Sequence, residues 1–188
     1  MISRELILEN EKVLLRPLVK EDFSALQQLT QDAEMWIYFT HDLSIPEQFE
    51  DWATPHFRGE RLQFTVIEKS KGDLVGSTAF GNYSERDARV EIGWTWLGKA
   101  FQGKGINPAM KAVMLDYAFQ KLKLKRVEIK TDVLNIPART ALKNIGAIEE
   151  GVLRSHTQMI RNRRRDTIYY SFIEGEWPVN RSFSTKIK

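Results

Sequence analysis

Gln102-Gly103-Lys104-Gly105-Ile106-Asn107-Pro108 is the stretch on which the fold turns. It lies between an alternating segment, Arg89 to Thr95, and the clearest amphipathic helix of the chain. In that helix Met110, Val113, Met114, Tyr117, Ala118 and Lys121/Leu122 recur at three and four residues. A loop that binds phosphate needs consecutive backbone N–H groups turned into one concavity beside a helix N-terminus. Gly103 and Gly105 can take positive φ and let a ligand approach the backbone. Asn107 reads as the N-cap and Pro108 as the first helical residue, whose missing N–H costs nothing there; Lys104 adds a cation. A glycine-rich turn that only joins strand to helix is equally open on the spacing alone, because short glycine motifs recur by chance. No Gly-Lys-Ser/Thr follows, so this is not the loop of nucleotide hydrolases. Nor is it the dinucleotide fingerprint, which opens from the first strand of a doubly wound sheet.

Upstream, Leu62, Phe64 and Val66 alternate with Gln63, Thr65 and Ile67. The turn Lys69-Ser70-Lys71-Gly72-Asp73 then leads into Leu74 to Phe80, and the two runs read as a hairpin. Arg89 to Thr95 sets Val90, Ile92 and Trp94 on one face, read as core, and Glu91, Gly93 and Thr95 on the other. Val13 to Pro17 reads as a first strand stopped by proline. A helix follows from about Glu21, and a second starts at Ser44-Ile45-Pro46-Glu47, with Ser and Glu at capping-box spacing. Downstream come a strand over Arg126 to Asp132, a helix over Pro137 to Asn144 ended by Gly146, and two strands, Val152-Leu153 and Thr167 to Ile173. The order β-α-α-β-β-β-α-β-α-β-β predicts an α+β fold: a mixed, mostly antiparallel central sheet of about seven strands with helices on both faces. No repeat, low-complexity run or linker divides the chain, so residues 1–188 are expected to form a single domain.

Bulk composition narrows the function classes. With 188 residues, 42% hydrophobic and 28% charged, the chain can bury a core without staples. It has no cysteine, which excludes disulfides, thiolate metal sites and Cys nucleophiles together and fits a reducing cytoplasm. His41, His56 and His156 show no metal-ligand spacing, so no metal is expected. The start shows no secretory pattern, and no apolar stretch approaches the roughly 20 residues that span a bilayer, so no membrane is expected. A net charge of +3 sets no partner class. Arg161-Asn162-Arg163-Arg164-Arg165 reads as a solvated hairpin tip; contact with an acidic partner or nucleic acid is the functional alternative, ranked low for want of an aromatic stacking platform.

Gln102-x-x-Gly105-x-Asn107 after a strand resembles the Gln/Arg-x-x-Gly-x-Gly/Ala loop of the Gcn5-related N-acetyltransferases (GNAT). Asn135-Ile136-Pro137-Ala138, followed by Gly146-Ala147, resembles the Asn-x-x-Ala/Ser…Gly-Phe segment that lines the coenzyme A arm in that family. Val13-Leu14-Leu15-Arg16-Pro17 and Gly151-Val152-Leu153-Arg154 are most similar to the ribosomal-protein N-terminal acetyltransferase branch. The resemblance runs from about Val13 to Trp177 and implies the GNAT fold, with acetyl transfer from acetyl-CoA to a primary amine by direct attack. By the resemblance, the backbone of Gln102, Gly103, Lys104, Gly105, Ile106 and Asn107 holds the pyrophosphate. Strand residues Thr95, Trp96 and Leu97 bond the pantetheine arm where their strand splays from the next, and Asn135 and Arg139 lie beside that arm. The family's last loop position is Gly or Ala and here is Asn107, a residue that tolerates αL and caps helices. A homodimer is common in the family, though no feature of this sequence demonstrates one.

Acyl transfer to an amine needs a neutral amine, a polarised carbonyl and usually a proton donor for the departing thiolate. Glu91, on the strand leading to the loop, is the candidate base; the plainer reading is a surface Glu paired with Arg89 or a neighbouring strand. The family's usual donors are missing, because Leu142 and Ala138 stand at their positions. Tyr83, Thr95, His156 and the substrate ammonium itself are the substitutes. His156 is a candidate second acid/base group as well, since histidine titrates near neutrality. Trp36, Tyr38, Phe39, Trp52 and Phe57 fall where this fold borders the acceptor cleft, or are core. The acceptor is expected to be a peptide N-terminus or a small-molecule amine. Two competing readings are a CoA-binding module of the same fold with weak or lost catalysis, motivated by Leu142 and Ala138, and a basic RNA-associated domain.

Overall fold

The computed structural model describes residues 2–177 and the backbone of 186–187. Among them nine strands form one sheet: β1 (Leu8–Glu9), β2 (Val13–Pro17), β3 (Leu62–Glu68), β4 (Asp73–Ser84), β5 (Arg89–Leu97), β6 (Arg126–Asp132), β7 (Ile148–Gln158), β8 (Arg164–Ile173) and β9 (Lys186–Ile187). Their order across the sheet is β7-β8-β6-β5-β4-β3-β2-β1-β9. Every neighbouring pair is antiparallel except β5 and β6, which run parallel. That one parallel pair needs a crossover, and α3 (Ile106–Asp116) supplies it. Nine strands exceed the expected seven because two-residue β1 and β9 extend one edge; runs that short carry no periodicity to read.

The helices cover both faces, as expected. On one face α3 and α4 (Ile136–Asn144) pack Met110, Val113, Met114 and Leu142 against Phe64, Val90, Ile92 and Tyr170. On the other, α1 (Phe23–Gln28), α2 (Pro46–Phe57) and the segment between them gather Trp36, Phe49, Trp52 and Trp96 into a second cluster. Ser44 does not cap α2: Ile45 is the N-cap, and Ser44 Oγ donates instead to Asp42 Oδ1 at 2.5 Å.

One departure from the expected alternation matters for the site. In β5, Gly93 pairs with Ala79 and Trp96 with Ser77, so β5 spends one residue more than β4 over this stretch. The extra residue is a β-bulge at Trp94, whose φ of 50° is one that non-glycine residues rarely adopt. The bulge reverses the parity of everything after it. Trp94 therefore joins the α1/α2 face rather than continuing the Val90–Ile92 row, while Thr95 turns to the α3 face, away from Glu91.

The ends of β5 and β6 diverge. Their pairing runs only through Arg89–Arg126, Val90–Val127 and Glu91–Glu128; beyond it β6 pairs with β8 alone and β5 with β4. From Ile92 to Leu97, β5 thus presents an unpaired backbone edge to a V-shaped gap, and Glu91 stands at its apex.

Candidate active site

The gap leads to the glycine loop. Gln102 Nε2 donates to the carbonyl of Leu97 at 3.0 Å and fastens the loop to the end of β5. Gly103 and Gly105 take φ of 72° and 74°, left-handed values suited to glycine. Gly105 is the N-cap of α3, two residues before the expected cap at Asn107, so the helix begins at Ile106. Asn107 instead lies inside the first turn, its Oδ1 buried with no partner. The N–H groups of Gly103, Lys104 and Gly105 donate to no acceptor among the described residues, and the first amides of any helix are free. A run of unengaged donors at a helix start, with open space beside Gly103, fits a pyrophosphate.

A second cation meets this loop from outside the motif. Lys12, in the turn between β1 and β2, brings its Nζ within 2.9 Å of where a Cβ on Gly105 would stand. Asn10 sets that turn: its Oδ1 accepts from the N–H of Lys12 and Val13 at 2.9 Å, and its Nδ2 donates to Ala109 O of α3 at 3.1 Å. A hollow of about 260 Å³ opens here, where Lys12, Lys71 and Lys104 stand with Glu68 and Asp73 around Phe101 and Ile106. Sequence reasoning missed Lys12 because nothing local marks it; only the sheet brings it to the loop.

On the other wall of the gap, Asn135 caps α4 by accepting from the N–H of Ala138 at 3.1 Å. Arg139 reaches back to Val133 O at 2.8 Å and Tyr170 OH at 3.3 Å. Both thus stand at the β6–α4 junction, with Asn135 Oδ1 and the Arg139 guanidinium already engaged. Leu142 is buried in the core and offers no proton donor.

Glu91 is buried at the apex, accepting from Asn82 Nδ2 at 2.6 Å and ion-paired to Lys130 Nζ at 2.7 Å. Its partner is therefore on the neighbouring strand, while Arg89 pairs with Asp87 and Glu128. Asn82, Tyr83, Lys130 and Tyr169 line an open polar hollow of about 600 Å³ on this face. Tyr83 thus shares the hollow with the partners of Glu91. His156 lies on β7, exposed, its Nδ1 3.0 Å from Thr167 Oγ1 and its ring edge-on to that of Tyr169, with centroids 6.1 Å apart. The three candidate catalytic residues do not hydrogen-bond one another.

Thr95 faces α3. Its hydroxyl is 2.7 Å from Thr78 Oγ1 and accepts from Lys111 Nζ at 2.7 Å. Lys111 is fully buried, and desolvation pushes its pKa down to about 7. Trp96 packs edge-on to Trp36 and Trp52 on the opposite face, and Leu97 lies in the α3-side core. The arginine run is a solvated tip only in part: Arg161, Asn162 and Arg164 are exposed. Arg163 instead bonds Asp132 and donates to Ile37 O at 3.2 Å, and Arg165 donates to Thr167 Oγ1 at 2.9 Å. Arg163 thereby ties this end of the sheet to the segment between α1 and α2. Among the described residues no group of His, Asp and Glu could hold a metal ion, and no helix is long and apolar enough to cross a membrane.

With this geometry in place, comparisons with known proteins agree on one kinship. Residues 12–148 match the family model described as the acetyltransferase (GNAT) domain. The chain is 30% identical over 175 residues to a Bacillus subtilis (strain 168) protein named "Putative ribosomal N-acetyltransferase YdaF", covering 89% of this chain and 94% of that one. It is 25% identical over 147 residues to a spermidine N(1)-acetyltransferase of Vibrio cholerae, covering 77% and 83%. The fold matches a GCN5-related N-acetyltransferase from Brucella melitensis with a TM-score of 0.86, at 24% identity, covering 94% of this chain and 82% of that one.

Proposed function

The chain belongs to the GNAT acetyltransferase family, and from that premise we propose that it moves an acetyl group from acetyl-CoA to a primary amine by direct attack. The observation that carries this reading is the run of unengaged amides at Gly103, Lys104 and Gly105, placed at the end of the splayed β5 edge. In the proposal these amides and the α3 N-terminus hold the pyrophosphate, with Lys12 and Lys104 adding charge. The free edge from Ile92 to Leu97 bonds the pantetheine arm, and Asn135 and Arg139 border it.

The acceptor enters from the α1/α2 face, where Glu91 stands beside the polar hollow. Its carboxylate, held by Lys130 and Asn82, receives the amine's proton directly or through water. The amine nitrogen then bonds the carbonyl carbon, the carbon–sulfur bond breaks, and the thiolate takes up a proton. Thr95 is the nearest hydroxyl on the gap's strand, and Lys111 behind it can resupply a proton near neutrality. The acceptor is a peptide N-terminus or a small-molecule amine, consistent with relatives named for ribosomal and spermidine acetylation. A protein without cysteine suits the reducing cytoplasm in which acetyl-CoA is plentiful.

Coenzyme A tests the site. At about a hundred times its dissociation constant it should add roughly 2.7 kcal/mol to the unfolding free energy. Gly105→Val should lose that shift, because a β-branched residue cannot hold the loop's φ of 74°. An unchanged melting temperature for the intact protein in coenzyme A would end the proposal.

A further inference from the structure

Arg61, immediately before β3, is 9% exposed and has no ion-pair partner among the described residues. Its Nε donates to the neutral Gln63 Oε1 at 2.8 Å, and one terminal nitrogen donates to the carbonyl of Trp52. The guanidinium lies 5.8 Å from the centre of the Trp52 ring and 4.8 Å from that of Trp94. Trp94 is the bulge residue at the head of the splayed gap. Its ring lies across Gly81, where a Cβ would come within 2.5 Å of it. Gly81 in turn pairs with Glu91, and the Cβ of Arg61 lies 3.7 Å from where a Cβ on Gly81 would stand, so Gly81 lies between Arg61 and Glu91. The cation thus sits on the acceptor side of the sheet, two strands from the candidate base.

The same cluster is short of acceptors. Trp52 and Trp96 are both buried, their rings 6.0 Å apart, and both indole N–H groups lack a partner. The carboxylate whose charge reaches Arg61 is the exposed Glu60 beside it, and burial lowers the arginine's pKa to about 10, which leaves it charged at neutral pH. A buried charge with no counter-ion is costly unless a ligand supplies one. A surplus of donors beside it calls for a group that only accepts hydrogen bonds.

We infer that Arg61, boxed by Trp52 and Trp94, is a subsite for a carboxylate on the acceptor. The substrate class is then an amine carrying a carboxylate a few atoms away: a free amino acid, or a peptide with an acidic residue beside its N-terminus. A polyamine brings a second cation to a place that already holds an unpaired one, and is disfavoured. This inference rests on the acetyl-transfer reading and names the acceptor for the same site.

The test is thiol release from acetyl-CoA by the full chain with matched acceptors. These are α-amino acids against their carboxamides, peptides with Asp or Glu at the second position against Asn or Gln counterparts, and spermidine. The expected result is kcat/KM at least tenfold higher for the carboxylate member of one matched series, which also tells free amino acid from peptide. In Arg61→Met the preference should collapse through KM for the acid, with KM for acetyl-CoA unchanged. Equal rates for acid and amide, or a preference for spermidine, overturn the inference while leaving acetyl transfer intact. Should no acceptor release thiol, melting in the presence of N-acetylated amino acids decides. Stabilisation by the acid and not by its amide, lost in Arg61→Met, supports the subsite; no stabilisation by either overturns it. Because the acceptor panel uses the unaltered protein, a misfolded variant leaves the outcome decidable.

Discussion

Lys111 sits in α3 with its ammonium under the β5 bulge, and its partner is the neutral hydroxyl of Thr95. Burial alone pushes its pKa from the ordinary 10.5 down to about 7. Below pH 7 the amine is charged in both folded and unfolded chains, and the full cost of burying it is present. Between pH 7 and 10.5 the unfolded chain holds the proton more tightly than the folded one, so stability rises with pH. Lys111→Met is therefore expected to stabilise the protein by about 1–4 kcal/mol at pH 7. It should also flatten the increase between pH 7 and pH 9, both read by urea unfolding. A variant whose pH dependence matches that of the parent would show that Lys111 is not the group responsible. The sequence hides this residue because the three-and-four spacing marks only the apolar stripe of α3, and a lysine beside that stripe reads as solvated. The same limit applies at Trp94: alternation puts it in the Val90–Ile92 row, and only the register with β4 reveals the extra residue.

Elements were legible where their periodicity ran long and where capping chemistry was local. The β3–β4 hairpin, α3 and β6 follow from alternation and the 3.6 period, and the glycine loop follows from its two glycines. Boundaries were harder. At α3 two residues compete for the N-cap, and Gly105 takes it because its left-handed φ ends the loop there, which leaves Asn107 inside the turn. At α4 the cap is Asn135, whose side chain accepts from the N–H of Ala138. Asn135→Ala should cost about 1 kcal/mol, a melting shift of about 2–4 °C for a chain of this size; an unchanged melting point would mean that the cap contributes nothing. The loop draws its second cation from a distant element, and that has its own signature. Lys12→Ala should weaken coenzyme A binding about fivefold to tenfold, about 1–1.4 kcal/mol, and less so at high salt. Pantetheine, which lacks the pyrophosphate, should bind both proteins alike in calorimetric titration. Equal loss for pantetheine would instead place Lys12 among the supports of the loop's shape.

At the scale of the molecule, the element order was enough to read an α+β layer fold with helices on both faces, since each amphipathic stripe needs a sheet face to cover it. What the order could not give was which strands part company: β5 leaves β6 after Glu91, while β8, on the other edge of β6, stays paired with it from Arg126 to Asp132. The acceptor side was equally out of reach, because Arg61, Trp52 and Trp94 come from three separate segments and meet only through the bulge. The two core clusters share this one sheet, with Trp96 facing one and Leu97 the other. Residues 1–188 are accordingly expected to unfold as a single cooperative unit. In a Trp177→Phe background, which removes the tryptophan of the α3-side core, Trp36, Trp52, Trp94 and Trp96 report on the α1/α2 cluster by fluorescence, while far-ultraviolet circular dichroism reports on sheet and helices throughout. The two signals should melt at one midpoint, and coenzyme A should move both by the same amount although its proposed site touches only the α3/α4 face and the gap. A tryptophan transition that comes first, or that coenzyme A leaves in place, would mean that the acceptor-side layer folds independently and that the site is assembled from two separable parts.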